Sequence, residues 1–382
     1  MSLGTRALTA AQAQLQTTGH NITNASVAGY SRQSVVLSTA PSQYTGAGYF
    51  GRGVDVSTVT RVMNNFLTNE VAQTGASAAM DRQQADLLNQ LQSAFGTGEA
   101  GLGSATTALF SAWSDLASHP DDASARQVVL ARAEDLASLT RNSSKQIEGL
   151  QAAVVDSVKA GAAKVNDLAG QVATLNQQIL ASRGSAQTPN DLLDQRDQLI
   201  DQISRFVQVT RVEQASSDAG GATPEGEATN TVNLFIGGGQ SLVLGTQAYS
   251  LVTTNDNFAQ GRVGLAIRIG NTERPLSSAA LGGGSLAGTL KFQDDDLSDA
   301  RAQLGRLAAA ITGEVNQQQQ LGLDLNGSPG AVLFRPVGSH NAGTGAYDIT
   351  AVPAGSNTSS AVASISIADP AALQASDYAL AV

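Results

Sequence analysis

The residues best placed to do chemistry are carboxylates. Asp294, Asp295 and Asp296 stand in a row with Asp299 close behind, the most metal-like cluster in the chain. Consecutive side chains on a helix point in different directions, so three adjacent acids make a poor chelate. Acids at a helix start, facing the positive end of its dipole, account for them. Asp194, Arg196, Asp197 and Asp201 form a second group that invites a catalytic reading. Their spacing reads more simply as a solvated helix face, with ion pairs worth a few tenths of a kcal/mol, roughly, apiece. Gly46–Gly51 and Gly96–Gly101 both fit G-x-G-x-x-G. A dinucleotide fingerprint needs a strand before it and a helix after it. A strand follows the first run and a helix pattern precedes the second, so both fail. Gly237–Gly239 could cradle phosphate, but extended segments flank it and no lysine is near; a hairpin turn fits better. His20, His119 and His340 lie in unrelated contexts, and no zincin, nucleophile-elbow or P-loop motif is present. With no cysteine, disulfides, thiolate metal sites and cysteine nucleophiles are excluded. The expectation is no catalytic, cofactor-binding or metal-ligating residue, and no enzyme.

The elements that carry these residues suit a different role. The 382 residues allow two or three domains. The hydrophobic share is 42%, much of it alanine, and aromatics are only 4%, which gives thin cores and many small-residue helix contacts. A net charge of −10 argues against non-specific binding to nucleic acid or anionic lipid. No run of eighteen apolar residues exists, so no membrane insertion is expected. The first residues lack the apolar centre of a cleaved signal peptide.

The chain is organised around residues 121–182. Leu139, Ile147, Leu150, Val154 and Val158 keep helical time, and Val165, Leu168, Val172, Leu175 and Ile179 are spaced 3, 4, 3, 4, a heptad seam. The stripe is narrow and wants one or two partner helices. Such a helix would run roughly 90 Å. Gly149, Gly161 and Gly170 each weaken it by about 1 kcal/mol relative to alanine, so it is open to a bend or break. Asp121 is placed as its N-cap.

Around this rod the expected class is α+β multidomain: an elongated helical bundle or coiled-coil rod with inserted and C-terminal β domains. Residues 1–60 form an N-terminal helix, a turn and an extended arm. Leu3, Leu8, Ala11, Leu15 and Ile22 lie along that helix with no obvious local partner. It is either a frayed terminus or an assembly segment that orders against other chains, and residues 1–60 are expected to be unordered in a free subunit. Residues 61–208 form the rod, with helices at about 62–95, 104–118, 121–182 and 189–207. Trp113 is taken as a core anchor. Thr188 is placed as N-cap and Pro189 as first residue of a helix returning antiparallel along the rod. Residues 209–285 read as a β domain with a hairpin at 231–244. Residues 286–325 return to helix, with Gly282–Gly284 as a hinge. Residues 326–382 read as β-rich and incomplete, with short strands at 331–337, 346–352 and 362–367.

Within this framework Asn21-Ile22, Asn24-Ala25 and Gly29-Tyr30-Ser31-Arg32-Gln33 resemble the N-terminal signature of bacterial flagellar axial proteins, the rod, hook and hook-associated proteins. His20, Thr23 and Val27-Ala28 depart from the usual pattern. The Ser-Arg-Gln after Gly-Tyr is similar to the flagellar hook-associated protein 1 family. Asn190, Asp191, Leu192, Asp194, Arg196 and Asp197 form a second, independent match to that family, and Leu286–Gly322 a third. The resemblance implies a structural protein exported through the flagellum's own type III channel, which joins hook to filament as a ring of subunits. Its implied partners are copies of itself, the hook protein, a second junction protein on the filament side and an export chaperone. The family continues into C-terminal helices that pair with the N-terminal ones and engage the chaperone. The chain therefore reads as truncated, with its first helix left unpaired. The alternatives are a hook or rod axial protein, and an exported adhesin-like binding module.

Overall fold

A computed structural model of the chain describes residues 2–46, 48–182, 188–214, 231–256, 261–324, 326–335 and 372–375. The loop read at 183–187, most of that at 213–230, and the strands read at 346–352 and 362–367 lie outside the described residues. The architecture is α+β, and the chain divides into two compact units.

The first unit comprises Met1–Asp81, Ala160–Val252 and Leu265–Ala287. It opens with α1 (Ser2–Asn24), then β1 (Gln33–Thr39), β2 (Gln43–Thr45), β3 (Gly48–Phe50) and β4 (Val54–Arg61). β1 and β4 pair antiparallel from Gln33↔Arg61 to Thr39↔Val54, with a bulge at Val36/Leu37. α1 packs against both. β2 and β3 form a separate short hairpin. The helix expected from residue 62 is α2 (Asn65–Ala94). In the part of α2 belonging to this unit, only Ala76 is buried, while Phe66, Leu67 and Val71 are exposed.

The long helix is α4 (Ala123–Ala181), 59 residues unbroken by its glycines. At Gly161 a Cβ would come within 2.6 Å of Leu286, so this glycine serves close packing. The seam residues Val165, Leu168, Val172, Leu175 and Ile179 are all buried, together with Ala162, Ala169, Ala173 and Asn176. The covered face is thus wider than two residues per heptad. Its partners are not helices alone. The Asn166 amide holds both backbone groups of Leu251 at 2.8 and 2.7 Å. Asn176 donates to the carbonyls of Val232 and Gly245 at 2.9 and 2.6 Å. Strands β6 (Thr231–Ile236) and β9 (Ser250–Asn255) are thereby fastened to the rod.

α5 (Asn190–Ser204) begins one residue later than its sequence signal, with Pro189 at the cap; Thr188 instead meets Thr58 hydroxyl to hydroxyl at 3.3 Å. Next come β5 (Thr210–Gln214), β7 (Gln240–Leu244), β8 (Gln247–Ala248), β10 (Val263–Ile269) and β11 (Thr272–Leu276). One sheet has the order β5-β6-β7-β8 and another β11-β10-β9. The turn at 237–239 joins β6 and β7, as the sequence indicates. After α6 (Ser278–Leu281), residues 282–284, read from sequence as a hinge, lie in close backbone contact with two other segments. Gly283 accepts from Gln208 N, Gly284 donates to Ala76 O, and Ser285 and Leu286 donate to Arg205 O and Phe206 O. Gly284 sits at φ +91° with the Phe206 carbonyl pressed where a Cβ would stand. The three glycines let two backbones touch.

The second unit comprises Arg82–Lys159, Thr253–Gly264 and Gly288–Val382. α3 (Leu102–Ser118) buries Leu102, Leu109 and Ala112, whereas Trp113 is only half-buried, so Leu109 is the anchor of that face. Asp122, not Asp121, caps α4, accepting from Ser124 N at 2.7 Å. α7 (Ser285–Lys291) runs through a π-helical turn, Phe292–Leu297, into α8 (Ser298–Leu321). The Asp294–Asp296 run therefore sits inside a continuous helix and not at its start. Asp294 pairs with Arg262 at 2.7 Å and Asp296 accepts from Gln84 at 2.9 Å. The buried Gln293 takes the place of a strand neighbour, exchanging two bonds of 3.0 Å with the Val263 backbone. Residues 331–335 form no strand. Asn316 holds Leu333 and Phe334 there by their backbone groups.

Candidate functional site

The first unit brings together the two segments that the sequence singles out, although about 160 residues separate them. Asn21, in the last turn of α1, reaches across the Asn24–Gly29 turn. Its amide donates to Gln33 O at 2.9 Å and its oxygen accepts from Gln33 N at 2.8 Å. The side chain thus acts as one residue of a strand beside β1. The same oxygen accepts from the Tyr30 hydroxyl at 2.7 Å. With that proton committed, the His20 contact at 3.0 Å requires Nδ1–H as donor. The His20 ring also stands edge-on to Tyr30.

The turn is locked from outside by α5. Asp194 accepts from Ser31 N at 3.1 Å through one oxygen and from Arg61 at 2.9 Å through the other. Arg61, the last residue of β4, also reaches Asp197 at 2.8 Å, and Arg211 closes on the second Asp197 oxygen at 3.1 Å. Asn190 donates to Val59 O at 2.9 Å, and the Gln198 amide donates to Ala28 O. Positions 190, 194, 197 and 198 share one helix face. Gly29 lies at φ +77° with the Gln198 side chain where a Cβ would project, so backbone and space both call for glycine.

These carboxylates are not the solvated surface pairs that their spacing suggests. The side chains of Arg61 and Asp194 are only 4% and 9% exposed. Of the expected short-range pairs on α5, Asp201 with Arg205 at 2.9 Å is one. Arg196 points the other way, is buried, and donates to Asn176 at 3.3 Å. Burial pulls its guanidinium down to about 10. For Arg61 burial acts in the same direction, but Asp197 and Asp194 outweigh it and hold the group above its ordinary value. Burial, then Asp194 and Asp191, raise the Tyr30 phenol. Sequence reasoning missed both Arg61 and Arg211 as site residues. An arginine ending an alternating strand, with an Asp-x-x-Asp helix elsewhere, was the available signal.

Asp194 spends its two oxygens on Ser31 N and Arg61, and Asp197 faces Arg61 and Arg211; together they fix the elbow between α1 and the β1/β4 sheet. α1 is fixed at its other end too, where Arg6 meets Asp55 at 2.6 Å. Its covered side consists of Arg6, Ala10, Ala13, Thr17, Asn21 and Asn24, small or polar throughout. Leu3, Leu8, Leu15 and Ile22 are 57–74% exposed, and Ala11 is exposed with them. A lone globular unit would place these faces the other way round.

A family model described as the flagellar hook-associated protein FlgK helical domain matches residues 88–334. The chain belongs to this FlgK family. Flagellar hook-associated protein 1 of Escherichia coli is 33% identical over 334 residues, covering 86% of this chain and 58% of the relative. The Bacillus subtilis protein of the same name is 28% identical over 350 residues, covering 86% and 68%. The solved flagellar hook junction protein FlgK from Burkholderia pseudomallei is similar with a TM-score of 0.59 and 30% identity, over 70% of this chain and 46% of that one. The chain spans 58% of the length of the Escherichia coli relative and 57% of that of the Salmonella typhimurium protein of the same name. The family match covers α5 and Arg211, while the signature turn lies before it.

Proposed function

We propose that this protein is a structural, non-enzymatic subunit of the bacterial flagellum, placed as a ring at the hook tip to join hook and filament. The observation that carries the reading is the orientation of α1. The helix is attached to its own unit by a small, polar face and turns its leucines outward. Burying a leucine side chain is worth about 1.5–3 kcal/mol, so a neighbouring helix has much to gain there. The elbow built by Asn21, Tyr30, Asp194 and Arg61 sets the direction in which that seam is offered. Leu3, Leu8, Ala11, Leu15 and Ile22 form the assembly interface, and α4 with α5 is the body that carries it. Its partners are copies of itself, the hook protein on one side, a second junction protein on the filament side and a chaperone before export. No described helix is long and apolar enough to cross a membrane, and the absence of cysteine suits a chain exported unfolded.

Deleting the gene tests this. The expected result is cells that build hooks, lack filaments and shed flagellin into the medium. Intact filaments in the deletion strain would remove the protein from the junction.

A further inference from the structure

A second exposed surface lies on the hairpin that separates β1 from β4 in the chain. The β2/β3 hairpin places Tyr44 opposite Tyr49 and Gln43 opposite Phe50. The Tyr44 and Tyr49 rings lie 5.2 Å apart and tilted. Tyr44, Tyr49 and Phe50 are 64%, 77% and 55% exposed. A Cβ added at Gly46, Gly48 or Gly51 would meet nothing within 4 Å, so the hairpin stands clear of the described residues around it. The chain has only one Trp, six Tyr and nine Phe, yet three of these gather on this projection. An isolated two-stranded hairpin is marginal in water, and exposed aromatics of this kind are what interface anchors are made of.

Charge says what covers it. Residues 1–54 contain Arg6, Arg32 and Arg52 and not one Asp or Glu. The remaining residues hold nineteen of the twenty-two Lys and Arg against all thirty-two Asp and Glu. The segment bearing the hairpin is thus cationic on a chain that is otherwise strongly anionic. Arg6 is engaged by Asp55, whereas Arg32 and Arg52 are exposed and form no ion pair among the described residues. Two copies meeting through the same patch would set cation against cation. A copy meeting another head to tail sets this segment against acidic surface. Such heterologous contacts generate rings or helical arrays.

We infer that the aromatic hairpin Gln43–Phe50, with Arg32 and Arg52, docks on the acidic body (residues 55–382) of a second copy of this chain. The inference rests on the ring assembly proposed above and names the contact that propagates it. Tyr44, Tyr49 and Phe50 supply the apolar anchor, and the two arginines choose which face of the neighbour receives it.

The test places a photo-cross-linking benzophenone amino acid at position 49 of the full-length gene product. Flagellated cells and the concentrated purified protein are irradiated in parallel; the second arm does not depend on where the protein sits in the cell. The expected product has twice the subunit mass, with its second peptide from residues 55–382 of another copy, in either preparation. Its absence from both overturns the inference, as does attachment only to another protein or only to residues 1–54. Because the side chains at positions 32, 49 and 52 are all exposed, circular dichroism is expected to be unchanged in every variant. Arg32→Glu with Arg52→Glu is expected to lower the adduct yield about tenfold, and raising the salt to half molar should lower it several-fold. A yield indifferent to both overturns the head-to-tail assignment. Loss or retention of filaments in the deletion strain decides the junction reading separately.

Discussion

Replacing Arg61 by methionine would remove the cation at the centre of the elbow and leave its volume roughly filled. Asp194 and Asp197, 9% and 16% exposed at their side chains, would be left facing each other, with Arg211 still on Asp197. Breaking a buried ion pair by deleting one partner costs about 3–5 kcal/mol. Two charge-assisted hydrogen bonds are lost, at about 1.5–3 kcal/mol each, or about 3–6 kcal/mol together, which overlaps that range. The pH dependence follows from the raised Arg61 value. Its stabilising contribution is fully present below the unfolded-state arginine value and is lost only as pH rises through the still higher folded value. The wild-type elbow is therefore insensitive to pH across the neutral range with respect to this group. Fluorescence of Trp113, the only tryptophan, reports the second unit, and a two-unit chain need not unfold in one step. Amide exchange resolved by peptide is the right assay. Since 1.4 kcal/mol is tenfold, a loss of about 3 kcal/mol appears as a more than hundredfold fall in protection across β1, β4 and the start of α5. Adding Asp194→Leu to Arg61→Met removes one stranded carboxylate but also the acceptor of Ser31 N, so it should recover only part of the lost protection. A single variant whose protection changes by less than threefold would refute the claim that this pair holds the elbow.

Gly29→Ala should destabilise the same elbow by about 1–3 kcal/mol, from its positive φ and the Gln198 side chain together; adding Gln198→Ala relieves only the second part, and exchange of residues 28–33 measures both. Asn176→Ala should cost about 2–4 kcal/mol in chemical unfolding followed by circular dichroism, since it strands the carbonyls of Val232 and Gly245. Arg196→Met should cost less than about 1.5 kcal/mol, because burial already disfavours its charge. That penalty is complete below pH about 10 and relaxes as pH climbs from there toward the unfolded value, so alkaline titration of unfolding should show wild type gaining on Arg196→Met. Leu8→Ser with Leu15→Ser should leave the melting temperature of the isolated subunit unchanged within about 2 °C while abolishing filament growth; a large drop in melting temperature would mean the seam is covered within the chain.

The backbone of this protein was largely legible because its signals are local. The Val165–Ile179 spacing marks the rod, and Gly237–Gly239 between apolar runs marks the hairpin. What was illegible is the work done by polar residues between those signals. Asn166 and Asn176 look like solvent-facing positions between seam residues, yet each holds strand backbone. Nothing near in sequence says that a backbone group will arrive 85 or 56 residues later. Asp194 and Asp197 carry the same lesson: i,i+3 acids on a helix are ordinary surface chemistry until a distant arginine excludes water from them. The π turn at Phe292–Leu297 had no signal in spacing, because one extra residue in a turn disturbs a 3,4 pattern no more than a surface leucine does. The glycines at 282–284 were recognised as unusual, but freedom and close approach demand the same residue, and only contact with Ala76 and Phe206 distinguishes them.

The two fixings of α1 act as a two-point mount. Arg6–Asp55 and Asn21–Gln33 are fifteen residues apart on the helix, roughly 22 Å at 1.5 Å per residue. A slack of about half an ångström at either end, the thermal displacement of a well-ordered atom, tilts the helix by little more than about one degree. Leu8 and Leu15 lie between the mounts, so the subunit's own contacts set the heading of the seam, whereas the unpaired stripe alone leads to the expectation that residues 1–60 are unordered in a free subunit. A subunit built this way spends little of its contact energy on orienting the helix, and angular error does not accumulate around a closed array.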